Sequence, residues 1–314
     1  MPEALSRVEL HHHWRVMRKK IRRGLLYLSL GTRLADPSAR LEALRRYLGR
    51  EDWLKLQQAD KVVVSVGKSG RTWLRVMISR LYQQTLNISE HQVINFDNFH
   101  HMDRRAPRVF FTHDDYLGYW SGRGETKADY RDKDLVLLVR DPRDVAVSQY
   151  FHWRYRMKPR NMALLNYLPA DADISLFDFV LDPQYGRLPR VIEALNLWAA
   201  AMREREDICL VRYEDLHSDP DTALSRVAET LGLEVTDEQI HEAVRYARYD
   251  NMKQMETKQT LSGGRVKPVK KDDPNTYKVR KAKVGGYRDY FNPEQIAQID
   301  ALLKERLDPV FAYH

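Results

Sequence analysis

The sequence predicts an α/β fold, a P-loop-like and mainly parallel sheet with helices on both faces, preceded by an N-terminal helical extension. Two observations predict it. Short apolar runs at Val62–Val66, Val109–Phe111, Leu135–Val139 and Ile208–Val211 alternate with stretches of helical spacing. The first run leads into Gly67-Lys68-Ser69-Gly70, after which Trp73, Val76, Met77 and Leu81 recur at helical intervals. The near-continuous run Leu135–Val139 suits a central parallel strand covered on both faces.

Composition sets the outer bounds. With 314 residues, 43% of them hydrophobic, the chain can bury a sizeable core in one large domain. A formal net charge of +8 favours anionic ligands, while acidic residues interspersed throughout argue against a nucleic-acid partner. Cys209 is the sole cysteine, which excludes an internal disulfide and fits a reducing compartment. No 18-residue apolar run and no signal-like apolar segment occur, so a cytoplasmic protein is expected. Nothing in the pattern speaks for an oligomeric state.

Residues 1–59 read as a basic helical extension and 60–314 as the main domain. Trp14, Met17, Ile21, Leu25 and Leu28 form one apolar stripe within residues 14–28, surrounded by Arg15, Arg18, Lys19, Lys20, Arg22 and Arg23. Such a helix either docks its stripe on the domain or lies peripherally on an anionic membrane; docking is the ordinary arrangement. His11, His12 and His13 would point in different directions on a helix, so no metal site is expected there. Leu41, Leu44 and Leu48 give a short helix that Gly49 should end.

The turn after the first strand is a phosphate site by construction, because free N–H groups and a helix N-terminus converge there. Gly67 and Gly70 let the backbone curl, Lys68 adds a charge, and Ser69 and Thr72 add hydroxyl donors. The triphosphatase pattern GxxxxGK[ST] fails, since Val62 stands where its first glycine would be. Arg108–His113 (RVFFTH) reads as a strand with a histidine at its carboxyl end, the edge where open parallel sheets bind ligands. After the strand ending at Arg140, Asp141 can N-cap and Pro142 can open a helix running to about Arg156, with Asp144 in its first turn. Arg140 makes a magnesium site there unfavourable. Residues 157–186 read as a loop region with a short helix near Leu176–Leu181. Helices follow at Leu188–Arg205, Pro220–Leu231, Thr236–Arg248 with a Thr236–Gln239 capping box, and Pro293–Leu307.

Four of these stretches resemble the motifs of sulfotransferases that use 3′-phosphoadenosine 5′-phosphosulfate (PAPS). GKSGRTW at Gly67–Trp73 resembles their 5′-phosphosulfate loop PKSGTTW, with Gly67 for Pro and Arg71 for the first Thr. Thr112-His113 resembles the KTH segment whose histidine is the catalytic base, but the lysine position is Phe111. Arg140–Ser148 resembles the 3′-phosphate motif RNPRDVAVS, in which the arginine and serine hold that phosphate. Arg280–Phe291 resembles RKGxxGDWKNxF, so Arg280 and Lys281 align with a 3′-phosphate clamp; Gly285 keeps the turn, Ala282 replaces the first glycine and Tyr287 the tryptophan. Weaker likenesses give Tyr213, in a YEDL context, a contact with nucleotide, and give Tyr249 a place on adenine opposite Trp73.

The resemblance implies an enzyme that moves a sulfuryl group from PAPS to an acceptor hydroxyl or amine, without a metal. Lys68, Ser69, Gly70, Arg71, Thr72 and Trp73 would hold the 5′-phosphosulfate end, and Arg140, Ser148, Arg280 and Lys281 the 3′-phosphate. His113 would be the base, and Lys68 would stabilise charge on the departing phosphate. The acceptor is a small molecule, a glycan or a lipid. Two rival classes share features of this chain: a P-loop small-molecule kinase, which needs magnesium and ATP, and a non-catalytic nucleotide- or polyanion-binding protein.

Overall fold

The computed structural model describes residues 17, 21, 36–86, 88–258, 273–277 and 282–313. The basic stripe of residues 14–28, the three histidines, and Arg280 and Lys281 therefore lie outside the described residues, apart from Met17 and Ile21. Four strands, β1 (Lys61–Ser65), β2 (Val109–Thr112), β3 (Asp134–Val139) and β4 (Cys209–Arg212), make one parallel sheet in the order β2-β1-β3-β4. Seven helices matter below: α1 (Pro37–Gln58), α2 (Arg71–Thr85), α3 (Pro142–Arg156), α4 (Arg187–Glu204), α5 (Asp237–Tyr246), α6 (Tyr249–Lys258) and α7 (Pro293–Arg306).

Alternating side chains of each strand feed two cores. Val63, Val136, Leu138 and Val211 pack with Leu74, Met77 and Ile78 of α2 on one face. Val62, Val64, Leu135 and Leu137 pack with Val145 of α3, Leu188 and Leu195 of α4, and Ile299 and Leu303 of α7 on the other. Each such side chain contributes roughly 1.5–3 kcal/mol of transfer free energy. That two-sided burial is why the strands read as unbroken apolar runs.

Strand order decides where a ligand can sit. The chain leaves β1 for β2 on one side, and its next strand, β3, lies on the other side of β1. Between β1 and β3, at their carboxyl ends, the connections diverge and leave a crevice. The Gly67–Gly70 turn follows β1, and Arg140 follows β3, so the two phosphate motifs flank that crevice. His113 follows β2 and Tyr213 follows β4.

The expectation that Gly49 ends a short helix is corrected. α1 runs straight through it to Gln58, capped by Asp36, whose carboxylate accepts from the N–H groups of Ser38 and Ala39. A Cβ at Gly49 would come within 2.3 Å of the Tyr116 carbonyl oxygen, so glycine is there for the close approach of α1 to the short helix Leu117–Ser121. Tertiary contact overrides a helix-propensity cost of about 1 kcal/mol. A helix at Pro159–Leu164 is also present, inside the stretch read as loop apart from Leu176–Leu181.

Candidate active site

Lys68, Gly70, Arg71, Thr72, Trp73, His113, Arg140, Ser148, Tyr213 and Tyr249 all line one cavity of about 610 Å³. Ser69 sits just behind it, 1% exposed, and its Oγ has no hydrogen-bond partner among the described residues. A buried hydroxyl left unsatisfied beside a helix N-terminus that no side chain caps is what an anion-binding loop leaves for its ligand. Lys68 carries a φ of 83° and Gly70 one of 92°. At Gly70 a Cβ would lie 2.6 Å from the Tyr213 ring, whereas at Gly67 it would meet nothing within 4 Å. Gly70 is therefore demanded by the fold, while the Gly67 position has room for a larger residue. The loop is braced from behind. Gln149 of α3 donates to the Gly67 carbonyl (3.2 Å) and accepts from Arg187 Nε (3.0 Å).

Arg140 is held in place by three contacts. Its Nη2 donates to Asp144 (3.2 Å) and to the Lys283 carbonyl (3.0 Å), and its guanidinium lies 4.2 Å from the Tyr213 ring centroid. Its buried Nε has no partner among the described residues. Asp144, 4% exposed, also accepts from the N–H groups of Gly285 (2.9 Å) and Tyr287 (2.8 Å). This carboxylate ties the first turn of α3 to the C-terminal motif across 141 residues of sequence. Gly285 adopts φ 67°, and Ala282 adopts φ 50° where the resembled motif has glycine, a strain of about 1–2 kcal/mol for an alanine.

Trp73 is pinned by its Nε1–H to the Ala247 carbonyl (2.8 Å), just past α5, and packs against Tyr213 (5.7 Å between centroids) and His217 (4.8 Å). Burial, aided by the Arg140 charge, lowers the His217 pKa, so this ring stays neutral at physiological pH. Tyr249, at the head of α6, is 40% exposed at the mouth of the same cavity.

His113 Nδ1 lies 2.8 Å from the Ser65 carbonyl oxygen. A carbonyl can only accept, so the proton sits on Nδ1 and the imidazole lone pair on Nε2. His113 is also the one residue shared by this cavity and a second, of about 530 Å³, lined among others by Asp114, Asp115, Lys127, Tyr130 and Trp198. In it, Asp114 accepts from Lys127 (2.7 Å) and Tyr130 (2.7 Å), and Asp129 pairs with Arg123 (2.5 Å). Asp115 is exposed to this cavity, and the protein crowded around it raises its pKa to about 6 by desolvation, with Arg71 pulling the other way.

Asp144, Gln149, His217, Arg75 and Asp115 are the residues that sequence reading left out. Asp144 was read only as a first-turn residue. Arg75 carried a usable signal, a charge set in the otherwise apolar run Leu74, Val76, Met77 and Ile78.

Known proteins resemble this chain over most of its length. The sulfotransferase domain family matches residues 127–310, more than half of the chain and including Arg140, Ser148, Tyr213 and Tyr249. Cytosolic sulfotransferase 10 of Arabidopsis thaliana is 23% identical over 281 residues, covering 80% of this chain and 79% of that protein. Cytosolic sulfotransferase 17 of the same plant is 24% identical over 285 residues, covering 84% and 78%. Among solved structures, a retinol dehydratase in complex with androsterone and the inactive cofactor PAP superimposes with a TM-score of 0.54 at 19% identity, covering 82% of this chain and 85% of that one.

Proposed function

This chain belongs to the sulfotransferase domain family, and on that premise we propose that it sulfates a polar small-molecule acceptor in the cytoplasm, with His113 as the base. The donor is PAPS. It supplies the sulfuryl group, whose sulfur gains a bond to the acceptor oxygen as its bond to the 5′-phosphate oxygen breaks, the electron pair leaving with 3′,5′-adenosine bisphosphate (PAP).

The chain's own groups divide the remaining work. The Lys68–Thr72 loop and the N-terminus of α2 hold the 5′ end, where Ser69 Oγ lacks a protein partner. Arg140, oriented by Asp144 and Tyr213, and Ser148 two turns into α3 hold the 3′-phosphate; Arg280 and Lys281 are proposed to complete that clamp. Trp73 and Tyr249 flank the adenine. His113 Nε2 accepts the proton of the attacking hydroxyl or amine. Lys68 offsets the charge that grows on the departing phosphate.

One observation carries the reading: two cavities meet at a single histidine whose tautomer is set by Ser65. The second cavity is the acceptor's place. Its carboxylates, Asp115 and Glu125 among them, favour a hydroxyl-rich acceptor such as a sugar over a lipid. Release of PAP from PAPS across a panel of sugars, phenols and steroids tests this. His113→Ala is expected to cut release by about 10²–10⁴-fold while leaving PAP affinity within about twofold. Equal loss of both would contradict the role of His113, and turnover confined to steroids would contradict the acceptor class.

A further inference from the structure

Arg75 is a buried cation that the mechanism above does not use. It lies on α2 between Leu74 and Val76, is only 4% exposed, and lines the donor cavity together with Lys68, Arg71 and His113. A guanidinium buried on a largely apolar helix is costly to desolvate and is held there by specific contacts. Its Cζ lies 3.9 Å from the centroid of the Phe111 ring, a close cation–π contact. Phe111 lies on β2, and His113 is the first residue after that strand. Arg71 and Arg75 are one turn apart on α2 and share a face of the helix. Arg75 thus shares one cavity with the phosphate loop and with His113.

Resting on the reading of this chain as a PAPS-using enzyme, we propose that Arg75 is a donor-recognising residue whose guanidinium binds the sulfonate oxygens of PAPS, with the Phe111 ring as the platform that orients it. A planar fork of donors matches a sulfonate face, and the ring beneath keeps the fork from rotating away. Phe111, which departs from the resembled motif by carrying no charge, gains a purpose: the cation comes from α2 and the strand supplies the surface it rests on.

PAP and PAPS differ only by the sulfonate, so their affinities separate this role from general support of the site. Calorimetric titration of both nucleotides is made with the wild type, Arg75→Gln, Arg75→Lys and Arg75→Gln/Phe111→Lys, with thermal melts to confirm folding. Arg75→Gln is expected to weaken PAPS by about tenfold, as for one lost charge-assisted contact, and PAP by less than about twofold. Arg75→Lys is expected to fall between, and it keeps the test open should the glutamine variant not fold. Lysine at position 111 in the Arg75→Gln background is expected to restore most of the PAPS affinity, which a purely structural arginine would not permit. Parallel loss of PAP and PAPS, or loss of neither, overturns the proposal. A wild type that binds neither nucleotide overturns instead the PAPS reading on which it rests.

Discussion

The two cavities that meet at His113 are charged in opposite ways. The donor cavity presents Lys68, Arg71, Arg75, Arg140, Arg156, Arg248 and Lys283, and against them, among the described lining residues, the single carboxylate of Asp144. That carboxylate is already engaged by Arg140 and by two backbone N–H groups. The second cavity presents Asp114, Asp115, Glu125 and Asp129 against Arg123 and Lys127, and much of its charge is closed into internal pairs. A concentrated positive field suits a ligand with a phosphate at one end and a phosphosulfate at the other. The second cavity has no such field, so it discriminates by shape and by individual hydrogen bonds. On the function proposed above, the first cavity takes one fixed donor and the second selects among acceptors.

Substitutions at the two glycines of the phosphate loop give the sharpest break within the donor end. Gly70→Ala forces a methyl group against Tyr213 and an alanine into φ 92°, and is expected to cost more than about 2 kcal/mol in stability and to abolish PAP binding. Gly67→Ala meets open space and is expected to change stability by less than about 0.5 kcal/mol. Denaturant melts and PAP titrations of the two variants check this; equal effects would mean that the loop is not held as described.

At the second cavity the effect is smaller and depends on pH. The folded-state pKa of Asp115 is raised from 3.8 to about 6, so its protonated form is the one the fold favours. The contribution to stability is therefore fully present below about pH 4 and is lost as pH rises through about 6. Asp115→Asn is expected to raise Tm at pH 7.5 and to lose that advantage towards pH 4. A Tm difference constant over this range would show that Asp115 is as well solvated as an ordinary surface carboxylate. PAP affinity should be unchanged in this variant, which separates the two ends of the site.

The same contrast governs what the sequence reveals. Strands β1 and β3 were legible because burial on both faces makes their central residues Val62–Val64 and Leu135–Val139 apolar, and the capping boxes and Asp141-Pro142 marked helix starts through local hydrogen bonds. Lys68, Arg71 to Trp73, Arg140 and Ser148, which line one cavity, were legible because they lie in short spans just after β1 and β3. Gly49 was misread because its reason lies in Tyr116, 67 positions away, and not in its own helix. Asp144 and Gln149 were passed over because their partners are Gly285, Tyr287, Gly67 and Arg187, all distant in the chain. The second cavity was not legible at all, since the 114–130 segment meets α4 only in the folded chain.

The most direct measurement is calorimetric titration of the wild type and Arg140→Ala with PAP, and separately with ATP, in the presence of EDTA. Tight metal-free binding of PAP, weakened by about 10–100-fold when the Arg140 fork is removed, is the expected result. Absence of PAP binding, with ATP bound once magnesium is restored, would contradict the account and make the crevice between β1 and β3 the site of a kinase.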